Sequence, residues 1–144
     1  AASLFNEGFA TVEYTACALL DMAVHSLSEY DDDFDLSEFE KKYLAEIGMP
    51  QGIVMRHRPA HFAHLFASSS YAAGYYVYQW AQVLDNDVFE AFKETGDVFD
   101  SETAERCRKF IYSAGNTVAP QDLFKAFRGR EPDTSFFLKN KGMA

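Results

Sequence analysis

Positive charge is scarce in this sequence of 144 residues: 13 Lys and Arg stand against 22 Asp and Glu, for a net charge of −9. A phosphate backbone would be repelled by such a chain, and the cations are too scattered to form a basic stripe. Nucleic acid is therefore excluded as a partner. Long apolar runs are missing as well, so no segment is expected to span a membrane. The opening AASLFNEGFATVEY has no basic region ahead of a pure apolar stretch, which is not the pattern of a signal peptide. There is no initiator Met, and a helical pattern begins almost at once; the expectation is a truncated chain. Cysteine is limited to Cys17 and Cys107, far apart and without Cys-x-x-Cys spacing. Each reads as a small apolar filler in a reducing, cytoplasmic setting rather than as half of a disulfide.

Period-two alternation is also absent over any useful length, so no strand is expected. What is present is helical. Phe5, Phe9, Val12, Ala16, Leu19, Ala23 and Leu27 recur three or four apart and predict a first helix, widened by Cys17, Met22 and Val24. Asn6, Glu13 and Asp21 fall mostly off that stripe. Asp31, Asp32, Asp33 and Asp35 form an acidic turn, and Asp35 or Ser37 caps a second helix that Gly48 and Pro50 end. The Asp31-x-Asp33-x-Asp35 spacing resembles a calcium loop but fails it: the sixth and twelfth positions are Leu36 and Lys42 where Gly and Glu are needed. Residues 51–70 are irregular. A long helix is expected from near Tyr71 to about Glu94, another from Ser101 to Tyr112, and a short one after Pro120. A last short piece follows RGREPD. The fold class is all-α, one domain over 1–144, in five or six helices.

On a helical wheel started at Tyr71, the residues Tyr75, Tyr78, Gln82 and Asp85 fall within about 40° of it. Ala73, Tyr76, Val77, Trp80, Val83 and Leu84 lie opposite. Aromatic residues at helical spacing are usually core, and Tyr76 takes that reading. Tyr71, Tyr75 and Tyr78 read instead as a row of hydroxyl donors, suited to an oxyanion formed during acyl transfer. His61 and His64 could share a helix face, but two histidines leave a catalytic zinc site one ligand short. His64, at the mouth of the Ala67-Ser68-Ser69-Ser70 loop, reads better as a group that hydrogen-bonds substrate. His25 reads as structural and His57, between Arg56 and Arg58, as surface.

FNEGFATVEY, HFAHLF, YAAGYYVYQW, the spacing to LFKAFRGREPD and the terminal LKNKGMA together resemble the carboxy-terminal part of the thimet oligopeptidase family of zinc peptidases. That family includes oligopeptidase A and peptidyl-dipeptidase, and the likeness runs from about Phe5 to the end. It implies a fragment of a larger, mostly helical metallopeptidase catalytic domain, with a channel for short peptides. It also implies a zinc ion held by a His-Glu-x-x-His helix and a later Glu, none of which occurs in this sequence. The segment is expected to bind no zinc and to be inactive alone. By the same resemblance His64, Tyr71 and Tyr78 are catalytic and Tyr75 lines the substrate cleft; His61, three residues before His64, is expected to bind substrate as well. The serine loop departs from the family's glycine-rich one. The expected partners are short peptides and the missing amino-terminal part of the same enzyme, with self-association through uncovered apolar surface. The competing expectation is a free-standing helical interaction module that kept the fold without the chemistry.

Overall fold

The computed structural model describes residues 4–144. Among these there are seven α-helices and no strand: α1 Glu7–His25, α2 Leu36–Glu46, α3 Ala63–Phe66, α4 Val77–Glu94, α5 Ser101–Cys107, α6 Pro120–Arg128 and α7 Ser135–Asn140. Single 3-10 turns lie at Pro59–His61 and Ser69–Tyr71, and a π-helical turn occupies Arg108–Tyr112. The all-α class holds. The helix beyond the six expected is α3, a piece of four residues, too short to carry a hydrophobic period of its own. The chain divides into two compact units, one ending at Gln79 and the other starting at Trp80.

In the first unit, α1 buries Ala16, Cys17, Ala18, Leu20 and Asp21. Most of these are small, so the helix backbone can come close to Met55, Leu65 and Tyr75 in the same cluster. The predicted stripe is not this face. Phe5, at 81% exposure, together with Phe9, Val12, Leu19 and Leu27, lies open, and only Ala16 of that series is buried. Two sides of α1 are apolar, and a period alone cannot say which is covered. Helix α2 starts where the sequence placed it: Asp35 Oδ1 accepts from the N–H groups of Ser37 and Glu38, at 2.9 and 3.0 Å. Its Phe39, Tyr43 and Leu44 pack against the same cluster. Its Glu40 is buried and takes the Arg58 Nε–H on both oxygens, at 3.0 and 3.2 Å. Both cysteines are buried and free. Burial pushes the Cys17 thiol up from its ordinary pKa, and that of Cys107 likewise.

The second unit packs Ala91, Cys107 and Phe127 together, with Val88, Phe92, Phe110 and Ile111 around them. Helix α5 is capped by Asp100, whose Oδ1 accepts from the Thr103 N–H at 2.7 Å. The next turn widens to i→i+5 pairing, with the Ser113 N–H donating to Arg108 O at 2.8 Å. Helix α6 has Pro120 in its first turn and ends on Gly129 at φ 75°. That end matters because it turns RGREPD back onto α4.

There Asp87, fully buried, accepts from Arg128 Nε at 2.8 Å, from Arg130 Nη1 and Nη2 at 2.7 and 2.6 Å, and from the Asp133 N–H at 2.8 Å. Arg128 also forks onto Glu94, with both bonds at 2.7 Å. Burial alone would push the Asp87 carboxyl up. The bonds from Arg130, Asp133 and Arg128 outweigh it and hold the group below the ordinary carboxylate range. The Arg128 guanidinium lowers Glu94 in the same way.

Breaking a buried, paired charge strands its partners, so Asp87→Ala is expected to cost about 3–5 kcal/mol in urea unfolding. The pH dependence follows from the lowered folded value. The stabilisation from Asp87 is complete above the ordinary carboxyl pKa of about 4 and is lost as pH falls through the lower folded value. Asp87→Asn should therefore flatten the acid side of a stability–pH curve, measured as unfolding midpoint between about pH 5 and pH 2.

Candidate functional site

The segment HFAHLFASSSYAAGYYVYQW does not start one long helix at Tyr71. His64 is the second residue of α3, and Ala67 closes that helix with its N–H donating to Ala63 O at 2.8 Å. Ser68 is extended, and Ser69–Tyr71 makes one 3-10 turn. The chain then reverses at Tyr71–Gly74. Ala72 has φ −57° and ψ 132°, Ala73 has φ 56°, and the Gly74 N–H donates to Tyr71 O at 3.1 Å. These are the marks of a type II turn, with alanine where glycine is favoured. Gly74 fits because a Cβ there would stand 3.1 Å from Tyr71 O. Helix α4 begins only at Val77.

The turn is held by α1. Asp21, almost wholly buried, accepts from the Ala73 N–H on Oδ1 at 3.1 Å and from the Tyr75 N–H on Oδ2 at 2.9 Å. His25 Nδ1 lies 2.7 Å from Asp21 Oδ1, and the His25 ring stacks on Phe66 of α3 with centroids 5.0 Å apart. His25 is thus structural, as its place in the first helix suggested.

The tyrosines nevertheless come together with His64, through the turn rather than along one helix. His64 Nε2 is 3.2 Å from Tyr78 Oη, and its ring lies 4.7 Å from that of Tyr71. Tyr75 meets Tyr78 edge-on at 5.7 Å and Phe62 edge-on at 5.0 Å. Their exposures differ. Tyr71 and Tyr78 are 53% and 48% exposed, while Tyr75 is only 9% exposed and belongs to the core cluster. Tyr75 stacks on Tyr14 at 4.8 Å, and Tyr14 Oη donates to Tyr75 O at 2.6 Å. Burial drives the Tyr14 phenol well above its ordinary pKa, with the neighbouring Tyr75 adding to it, and burial raises Tyr75 too. Both are neutral phenols at physiological pH.

His61 ends the turn Pro59–His61 and is exposed; among the described residues no hydrogen bond or ring contact joins it to this group. His57 is not a free surface residue. It is half-buried and stacks on Phe62 at 4.4 Å. Tyr76, Val77 and Trp80, assigned to the core by the wheel, are each about half exposed at 50%, 50% and 44%. The wheel misplaced Tyr76 because that residue precedes the helix.

An open cleft of about 400 Å³ is lined by Tyr14, Arg56, Phe62, His64, Tyr75 and Tyr78. None of these is an acid, and Arg56 is only loosely matched by Glu13 at 4.0 Å. A wall of phenol, imidazole and guanidinium donors suits a ligand rich in carbonyl or carboxylate oxygen. Sequence reasoning passed over Asp21, Tyr14 and Arg56; for Asp21 the signal was a carboxylate inside LLDMAVH with histidine four residues on. Among the described residues no three His, Cys, Asp or Glu side chains gather closely enough to hold a metal. The residues here do not fit a zinc site.

Residues 1–143 match the model of peptidase family M3. The chain is 38% identical over 144 residues to the dipeptidyl carboxypeptidase of Salmonella typhimurium, a match that covers 99% of this chain and 21% of that protein. Against oligopeptidase A of Escherichia coli it is 47% identical over 85 residues, 59% of this chain and 12% of that protein. Against the probable cytosolic oligopeptidase A of Arabidopsis thaliana it is 45% identical over 85 residues, 57% of this chain and 12% of that protein. The chain spans about a fifth of the length of the first of these relatives. A match running from the first residue to the last but one, through the cleft and the Asp87 network alike, places the chain in peptidase family M3.

Proposed function

We propose that this chain forms the substrate-binding wall of a metallopeptidase that hydrolyses short peptides, as an oligopeptidase or peptidyl-dipeptidase. His64, Tyr71 and Tyr78 act on the scissile carbonyl; Tyr75 lines the cleft floor and His61 contacts the peptide further out. The observation that carries this reading is the exposed pair of His64 Nε2 and Tyr78 Oη, 3.2 Å apart beside the Tyr71 ring. When Nε2 carries its proton and donates to the phenol oxygen, the Tyr78 hydroxyl proton is free to point into the cleft. A peptide carbonyl held there accumulates negative charge as its carbon becomes tetrahedral, and a fixed hydroxyl donor stabilises that charge more than it stabilises the ground state. Tyr71, whose ring lies against that of His64, offers a second donor. Zinc would be held by residues outside this chain, which we therefore propose to be inactive by itself. The open apolar side of α1, with Phe9, Val12 and Leu19, and Phe5 just ahead of the helix, is the surface such a remainder would cover. We propose the cytoplasm as the compartment, in keeping with two buried free thiols.

In the full-length enzyme, Tyr78→Phe should lower kcat by about 10²–10³, with KM changed far less, because one oxyanion donor is typically worth that much. Tyr76→Phe should leave both constants near the parent values. Steady-state kinetics on a fluorogenic short peptide reads both, and an unchanged kcat in Tyr78→Phe removes that residue from its role. The purified 144-residue chain should show no peptide hydrolysis above buffer and should self-associate in sedimentation experiments at micromolar concentration. Hydrolysis by the metal-supplemented chain would overturn the claim that its chemistry is supplied from elsewhere.

A further inference from the structure

One turn of α1 grips both segments that carry the proposed site. The Asp21 carboxylate takes the Ala73 and Tyr75 N–H groups, at 3.1 and 2.9 Å, on the side of the serine loop that leads to Tyr78. His25, four residues along the same helix and 2.7 Å from Asp21, stacks on Phe66 on the other side, two residues from His64. The stretch between these grips, residues 67–71, is exposed throughout, and the serine side chains make no hydrogen bond among the described residues. The separation of His64 from Tyr71 and Tyr78 is therefore set chiefly from α1. The turn itself is unfavourable without help, since Ala73 stands at φ 56°, a left-handed conformation that L-residues other than glycine rarely adopt.

We infer that Asp21, with His25 beside it, is the positioning residue of this site. It acts through the Tyr71–Tyr75 turn and touches no substrate. The inference rests on the functional reading above. A buried carboxylate with two backbone donors and one imidazole uses its lone pairs on a fixed geometry, and removing one oxygen acceptor frees the turn to relax. A displacement near 1 Å in a group that must meet the reacting carbonyl costs about 10²-fold in rate.

The test uses the full-length enzyme and four variants: Asp21→Asn, Tyr78→Phe, the two combined, and Asp21→Asn with Ala73→Gly. Kinetics and thermal unfolding are measured for each. The expected result is a kcat loss of about 10- to 100-fold in Asp21→Asn, with KM within a few-fold of the parent. The combined variant should be little slower than Tyr78→Phe alone, because both changes act on one donor. Glycine at position 73 adopts a positive φ without the clamp, so Ala73→Gly should return part of the lost kcat. A general structural defect would produce neither the non-additivity nor the rescue.

If Tyr78→Phe slows the enzyme while Asp21→Asn does not, the positioning role fails and the site reading stands. If the two losses multiply, or if Asp21→Asn loses activity only in proportion to its unfolded fraction, the positioning role likewise fails. If Tyr78→Phe has no effect, the site reading fails and this inference with it. Should Asp21→Asn not fold, His25→Gln replaces it: this variant keeps a donor for Asp21 and removes the ring packed on Phe66. A kcat loss of about tenfold then supports the inference, and an unchanged kcat overturns it.

Discussion

A single buried carboxylate, that of Asp21, ties α1 to a turn 52–54 residues further along the chain, and His25 beside it packs on a third part, α3. Its two oxygens face two backbone N–H groups and an imidazole, so its charge is met on every side by donors. That arrangement repays its burial only if the turn at Tyr71–Gly74 is made, and the turn in turn ends any helix that might begin at Tyr71. The late start of α4, the burial of Tyr75 and the meeting of His64 with Tyr78 all follow from that bond set. The second unit uses the same device: Asp87 gathers Arg128, Arg130 and the Asp133 N–H, and so folds RGREPD onto α4. Each unit is organised around one buried aspartate carried on a helix.

Much of this was open to reading in the sequence, and what was hidden has a common cause. Asp35 as a cap, Pro120 in a first turn and the all-helical class depend on neighbours within a few residues, and the sequence displays neighbours. The turn at Ala73 depends on a residue 52 positions upstream. Alanine carries no mark of a left-handed conformation, so YAAGYYVY continues a helical pattern until the partner is known. The wheel grouped Tyr71, Tyr75 and Tyr78 for a reason the structure does not share. Tyr75 and Tyr78 line one cleft and Tyr71 lies against the His64 ring beside it, yet Tyr75 faces the core and Tyr76 lies outside the helix. His57 failed for a similar reason: two flanking arginines suggested water, whereas Phe62 supplies a ring to stack on.

Helix α1 shows the limit of periodicity itself. Its sequence is apolar on two sides, and the residues buried within the first unit are mostly the small ones, Ala16, Cys17 and Ala18, that permit close approach. Of the large ones, Leu20 is buried, while Phe9, Leu19 and Met22 point away. A chain about a fifth the length of its relatives can be fully regular in secondary structure and still leave its largest side chains uncovered.

The π-helical turn at Arg108–Tyr112 carries a consequence for the register of the second unit. Such a turn is an α-helix holding one residue too many, with the surplus absorbed by a wider ring of backbone atoms. Deleting one residue there would let the Ser113 N–H find a carbonyl four positions back and restore ordinary pairing. Everything beyond the deletion would then be rotated by about 100° relative to α5. Phe110 and Ile111, which flank Phe127 in the core, could not both keep their places. Cys107, Phe110 and Ile111 already stand at the i, i+3, i+4 spacing of one helical face, so what the extra residue sets is the angle at which the chain leaves the helix after Tyr112.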